Sequence, residues 1–179
     1  MEKKPLPEPV NPQEKERALS SIKMMSAVAL FLGIGSVTVG ILSLAYLGGA
    51  KYPVTALTGI WYGMSPIAFG LLGFFAAMSS DETTQKKLLN GHYVTSIIIM
   101  SMGYAWAAAI QGVVVCGGGG GEEKCGDNAE IQTALHGVLI GIIAVVYIIG
   151  VWSLSLHAIR RKVLHPEWNY RRGCCWFNK

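Results

Sequence analysis

Once four apolar windows are set aside, the 179 residues contain no polar stretch longer than a 23-residue tail, which excludes a separate water-soluble domain of ordinary size. Hydrophobic residues make up 51% of the chain, and the formal net charge is +4. Thirteen of the fifteen Lys and Arg residues fall in the two tails and the middle loop, a segregation that points to membrane orientation and away from nucleic-acid binding.

In chain order, residues 1–23 read as a proline-rich, charged tail in which Pro5, Pro7, Pro9 and Pro12 favour an extended, solvated backbone. Asn11 before Pro12 is placed to cap a short helix through Glu14–Arg17 into the first span. The windows follow: Met24–Leu47, Val54–Met78, Tyr93–Val115 and Ile131–Leu156, each free of Asp, Glu, Lys and Arg. At ~1.5 Å per residue even the shortest reaches roughly 35 Å, enough for a hydrocarbon core about 30 Å thick. A mid-membrane charge costs at least ~2.5 kcal/mol, so four clean windows predict four transmembrane helices. The expected fold is all-α: a four-helix transmembrane domain over 24–156, with cytoplasmic tails at 1–23 and 157–179. Lys23 abuts the first window, which is expected to act as an uncleaved signal anchor.

The first external loop, Gly48–Pro53, is so short that the first two helices must form a tight antiparallel hairpin, with Tyr46 and Tyr52 at interfacial positions. In the inner loop Asp81 and Glu82 are expected to follow the second helix, with Lys86 and Lys87 on the next turn and Asn90-Gly91 as a stop. In the second external loop Cys116 and Cys125 bracket eight residues in an oxidising compartment, where a disulfide is the default. Its glycine run lacks the Lys-Ser/Thr helix start of a phosphate loop, and its acidic residues lack EF-hand spacing.

Small residues recur four apart within the windows: Ala29 and Gly33, Ser36 and Gly40, Gly59 and Gly63, Gly103 and Ala107, Gly137 and Gly141. In lipid, helices associate by close backbone approach, so these pairs are the expected helix-packing positions. Pro66 is expected to kink the second span, because it cannot donate to the carbonyl of Tyr62. Gln111, His136, Thr95, Ser96 and Ser101 do not assemble into a charged transport path, and His92, His136, His157 and His165 read as dispersed, interfacial residues. No catalytic set, cofactor motif or metal motif is present, so no enzyme activity is expected. Past the fourth window, Arg160, Arg161, Lys162, Arg171 and Arg172 are placed to meet anionic headgroups, each worth ~1 kcal/mol near the surface. Adjacent Cys174 and Cys175, flanked by basic and aromatic residues, are candidate S-acylation sites.

The order of these features resembles the CD20-like four-span proteins: the membrane-spanning four-domains group and, more loosely, sarcospan. The likeness is carried by the very short first hairpin, by Tyr52-Pro53 leading to Gly59-Ile-Trp-Tyr-Gly63, and by Gly70-Leu-Leu-Gly73. It continues through the charged inner loop with Lys86-Lys87-Leu88-Leu89 and the cysteine pair of the second external loop. The glycine run departs from the pattern, as does Met64-Ser65-Pro66 where Ile-Ser-Gly is usual. Tetraspanins, claudins and connexins need larger or cysteine-bearing loops; a MARVEL-type vesicle protein remains open. The resemblance implies a non-enzymatic scaffold in the plasma membrane or a secretory or vesicle membrane. Its partners would be membrane lipids and further copies of itself, or larger receptors, channels or adhesion complexes. The alternative is a pore-forming or channel-regulating subunit.

Overall fold

The computed structural model describes residues 11–46, 53–118 and 125–165. Helix α1 (Pro12–Ala45) begins well ahead of the first apolar window, because Asn11 caps it by accepting from the Gln13 amide at 3.1 Å and Pro12 opens the first turn. Helix α2 spans Pro53–Met78, α3 Glu82–Ser101 and α4 Gly103–Gly117. A 3₁₀ turn at Gly126–Asn128 leads into α5 (Ala129–Ile159), and one further turn, α6 (Arg161–Leu164), follows. Every regular element among the described residues is helical. By length and composition α1, α2 and α5 can each cross a membrane. Helices α3 and α4, joined with a bend of 41°, pass the same test of length and composition only when taken together.

The first two helices touch along glycine. A Cβ at Gly59 would lie 2.7 Å from the Ser36 carbonyl oxygen, and one at Gly40 would lie 2.7 Å from the Ile60 amide nitrogen. Gly33 and Gly63 face each other's helices in the same way, and the Ser36 hydroxyl donates to the Gly59 carbonyl at 2.8 Å. This is the backbone contact that small residues four apart permit. Ala29 is fully buried in the same face.

One local expectation is corrected. Asn90-Gly91 does not stop a helix: the chain breaks earlier, at 79–81, and α3 runs through both residues. Asp81 caps α3 by accepting from the Thr84 amide at 2.8 Å, and Glu82 pairs with Lys86 at 3.0 Å within the new helix. Gly91 then lies where a side chain would press on Leu72, which accounts for glycine inside the helix. Thr84, through its hydroxyl and then its amide, holds the Asp81 carboxyl below the ordinary carboxylate range. Because the folded value is the lower one, the cap's contribution is present above that range and is lost as pH falls through it.

A sharp bend separates α3 from α4. Helix α2 is continuous through Pro66, a fully buried residue, and the α3–α4 pair breaks at Met102. Ser101 donates its hydroxyl back to the Ile98 carbonyl at 2.8 Å, and Gly103 restarts the helix. A Ser/Gly pair flanking one residue is a recognised cause of a sharp kink.

The bundle has the polarity of a protein in lipid. Phe31, Trp61, Ile148 and Ile159 are more than 60% exposed, while Ser26, Ser36, Ser43, Ser96, Gln132 and Ser153 are buried. Large apolar side chains outside and hydrogen-bonded polar ones inside suit a solvent without hydrogen bonds.

The cysteines are joined as expected. The Cys116–Cys125 disulfide, with Cα atoms 5.5 Å apart, ties the end of α4 to the turn that opens α5. Closing a ten-residue loop is worth roughly 2.5–3 kcal/mol in the chain-entropy model. Cys116→Ser should therefore lower the unfolding free energy by about that amount in a denaturant titration, and reduction of the wild type should give the same loss.

Candidate functional site

The buried polar residues gather into two clusters near opposite ends of the bundle. At the disulfide end Ser43 of α1 donates its hydroxyl to Gln132 Oε1 of α5 at 2.6 Å, and Gln132 Nε2 donates to the Ser43 carbonyl at 2.7 Å. One turn along α5, His136 Nδ1 donates to the Gln132 carbonyl at 2.8 Å. The His136 ring fills the space over Gly112 of α4, where any side chain would overlap it. Asn128 Nδ2 reaches the Tyr46 carbonyl at 3.4 Å, so two residues near the start of α5 serve carbonyls at the end of α1.

At the other end a chain of imidazoles runs across three elements. Ser26 Oγ of α1 lies 3.3 Å from His92 Nε2 of α3, His92 Nδ1 lies 3.0 Å from His157 Nε2 of α5, and His157 Nδ1 lies 2.8 Å from His165 Nε2 after α6. All three rings are fully buried. Phe69 stacks on His92 with centroids 4.1 Å apart, and Gly73 leaves room for the His92 ring and the Ser26 hydroxyl. One turn deeper Ser96 and Ser153 hydrogen-bond at 3.0 Å, which joins α3 to α5 again.

Two elements fix this geometry. Helices α3 and α5 run antiparallel, which brings His92 and His157 to one level. The chain then turns at Arg160, whose carbonyl accepts from the amides of Val163 and Leu164 at 2.9 Å, and this returns His165 to the bundle. The expectation that the histidines are dispersed is overturned: three of the four form one contiguous buried set. Their separation in sequence concealed it. The signal was positional, since His92 immediately precedes the third apolar window and His157 immediately follows the fourth. Gln132, Ser43, Ser26 and Ser153 were not singled out either; Gln132 stands one helical turn before His136, on the same face.

No continuous polar line joins the clusters along α5. Its buried face between His136 and Ser153 is formed by Leu139, Ile143, Val146, Ile149 and Gly150, about 25 Å of apolar core at ~1.5 Å per residue. Nor do the histidines converge on a point: His157 uses its two nitrogens in opposite directions, and no group of three metal-binding residues able to hold an ion occurs among the described residues.

The remaining expected positions divide. Ala29, Gly33, Ser36, Gly40, Gly59 and Gly63 pack α1 against α2. Gly103, Gly137 and Gly141 have open space where a side chain would project, and Ala107 and Gln111 lie on the outer surface. Arg160 is paired with Glu14 of α1, which ties the two ends of the bundle's chain together instead of leaving Arg160 wholly to headgroups. Arg161 and Lys162 lie in α6 at the same end. Arg171, Arg172, Cys174 and Cys175 lie outside the described residues. Comparison with family models, curated proteins and solved structures found no match.

Proposed function

We propose that this chain is a non-enzymatic four-span membrane scaffold of the CD20-like kind. It associates with further copies of itself or with larger membrane receptors, channels or adhesion complexes and modulates their assembly, trafficking or signalling. The bent α3–α4 pair serves as the third span. The eight described Lys and Arg residues lie in the Lys15–Lys23, Lys86–Lys87 and Arg160–Lys162 segments, all at one end of the bundle. The positive-inside rule makes that end cytoplasmic, in the plasma membrane or a secretory or vesicle membrane.

One observation carries the scaffold reading. The small-residue pairs of α1 and α2 are used up inside the bundle, whereas Gly137 and Gly141 of α5 lie on the outer face with nothing over them. In lipid such a pair lets a second helix approach closely. Replacing both glycines with Leu should leave the bundle folded and lower the association constant about tenfold, read by single-molecule photobleaching in nanodiscs, a change of about 1.4 kcal/mol. Unchanged assembly, of both the protein with itself and with any co-purifying partner, would count against this face.

The pore alternative also has one observation in its favour. Gln111 is exposed on α4 in line with Gly103 and Ala107, where several copies could gather a ring of amides. Planar-bilayer recording distinguishes the two: selective conductance abolished by Gln111→Leu favours the pore, and a silent assembled protein favours the scaffold.

A further inference from the structure

We propose that the His92–His157–His165 chain is a proton-operated latch that holds the turn after the fourth span against the bundle and releases it on acidification. The inference follows from counting hydrogens. Three imidazoles have six ring nitrogens, and the two ring-to-ring contacts at 3.0 and 2.8 Å can each hold only one hydrogen between their nitrogens. The two end nitrogens, His92 Nε2 facing Ser26 and His165 Nδ1, can each carry one more. The intact chain therefore accommodates four hydrogens at most.

Three neutral rings carry three hydrogens and satisfy both contacts with every ring donating in the same direction. A fourth is also tolerated: a protonated His157 donates to both neighbours. A fifth places two N–H groups face to face in one contact, whichever rings carry the charges. That contact must open. The site is thus graded for its first extra proton and switched by its second.

The second contact is the one free to open, because its outer partner sits on the smallest element. His92 and His157 belong to long helices, further joined by the Ser96–Ser153 bond, whereas His165 follows a four-residue helix. Leu164 enters the core, yet a cavity of about 80 Å³ remains beside it, lined by Val163 on the turn and by Lys15, Glu82 and Lys86 across from it. That is space for water next to the turn. Among the described residues, the groups facing the rings include Ser26 from α1, Phe69 and the Gly73 backbone from α2, and Tyr93 from α3. Tyr93 is titratable as well, with its ring centroid 5.5 Å from that of His157 and 6.2 Å from that of His165. The charged Glu14 and Arg160 at this end are paired with each other.

The test is hydrogen exchange of the full chain in nanodiscs of neutral phospholipid at pH 7.5 and 5.0, with exchange times scaled for intrinsic chemistry. The reporters are the amides of Val163, Leu164 and His165, which bond to the carbonyls of Arg160 and Arg161. Their protection should fall about tenfold or more at the lower pH and recover on return, while α1 and α2 keep theirs. In His165→Phe the same amides should already be weakly protected at pH 7.5 and should not respond to acid. Protection that is unchanged at pH 5.0 would overturn the latch, as would loss throughout all helices or a His165→Phe variant that keeps both protection and acid response. The wild-type titration decides the matter even if the variant does not fold.

Discussion

Gly59→Val should unfold the α1–α2 hairpin, while Gly141→Val should leave the bundle as stable as the wild type. At Gly59 the first added carbon would meet the Ser36 carbonyl at 2.7 Å and the Gly40 backbone at 2.9 and 3.0 Å. Both obstacles are main chain, so no rotamer change relieves them, and the helices must separate. Separation also breaks the Ser36–Gly59 hydrogen bond, but in membrane bundles such bonds average only ~0.6 kcal/mol. Steric overlap in a packed core typically costs 1–3 kcal/mol per substitution and more when backbone must shift. The lost contact therefore dominates, and a loss of about 3 kcal/mol or more is expected in a denaturant titration of the detergent-solubilised protein. Gly141 has nothing within 4 Å of the added carbon. A valine there has no overlap to relieve, and equal losses at the two sites would mean that the hairpin is not what holds the bundle.

The contrast between these glycines marks how far the sequence could be read. Charge-free windows locate long apolar helices without ambiguity, because a single charge would spoil the pattern; Asn11-Pro12 likewise marks a helix start by local chemistry alone. Four-residue spacing of small residues is visible for α1, α2, α4 and α5 alike, yet nothing local says which pairs meet a neighbour. That depends on how the helices are rotated about their axes. The bend illustrates the same limit. Pro66 lies within a continuous α2, and the break between helices falls at Ser101-Met102-Gly103, whose signal in the sequence is weaker than a proline's. The histidine cluster is illegible in the sequence for a different reason. Judged by spacing along the chain its members share no motif; judged by depth in an antiparallel bundle, His92 and His157 had to be level. The return of His165 depends on the α6 turn, and no spacing rule supplies it.

Depth and burial also separate two glutamines that composition treats as equals. Gln132→Leu should cost about 2–3 kcal/mol, whereas Gln111→Leu should be neutral or slightly stabilising. Gln132 is 3% exposed, and its amide both accepts from the Ser43 hydroxyl and donates to the Ser43 carbonyl. That carbonyl lies in the last turn of α1, where helical partners run out, so the glutamine acts as a cap supplied by another helix. Leucine has nearly the right bulk but strands a buried hydroxyl and a buried carbonyl, each worth about 1–3 kcal/mol when left unmet. The hydroxyl can turn to another acceptor, so the lower part of the summed range is expected. Ser43→Ala should cost less, about 1 kcal/mol, because the backbone bond survives. The double variant should cost less than the sum of the singles, since the hydroxyl stranded by Gln132→Leu is then absent. Additive losses would show that the pair is not coupled. Gln111 is exposed on α4, and its replacement removes a polar group from the bundle's outer surface at no cost to any internal partner. If Gln111→Leu leaves unfolding unchanged but weakens assembly, the two glutamines serve different ends: one closes the bundle, and the other meets what lies outside it.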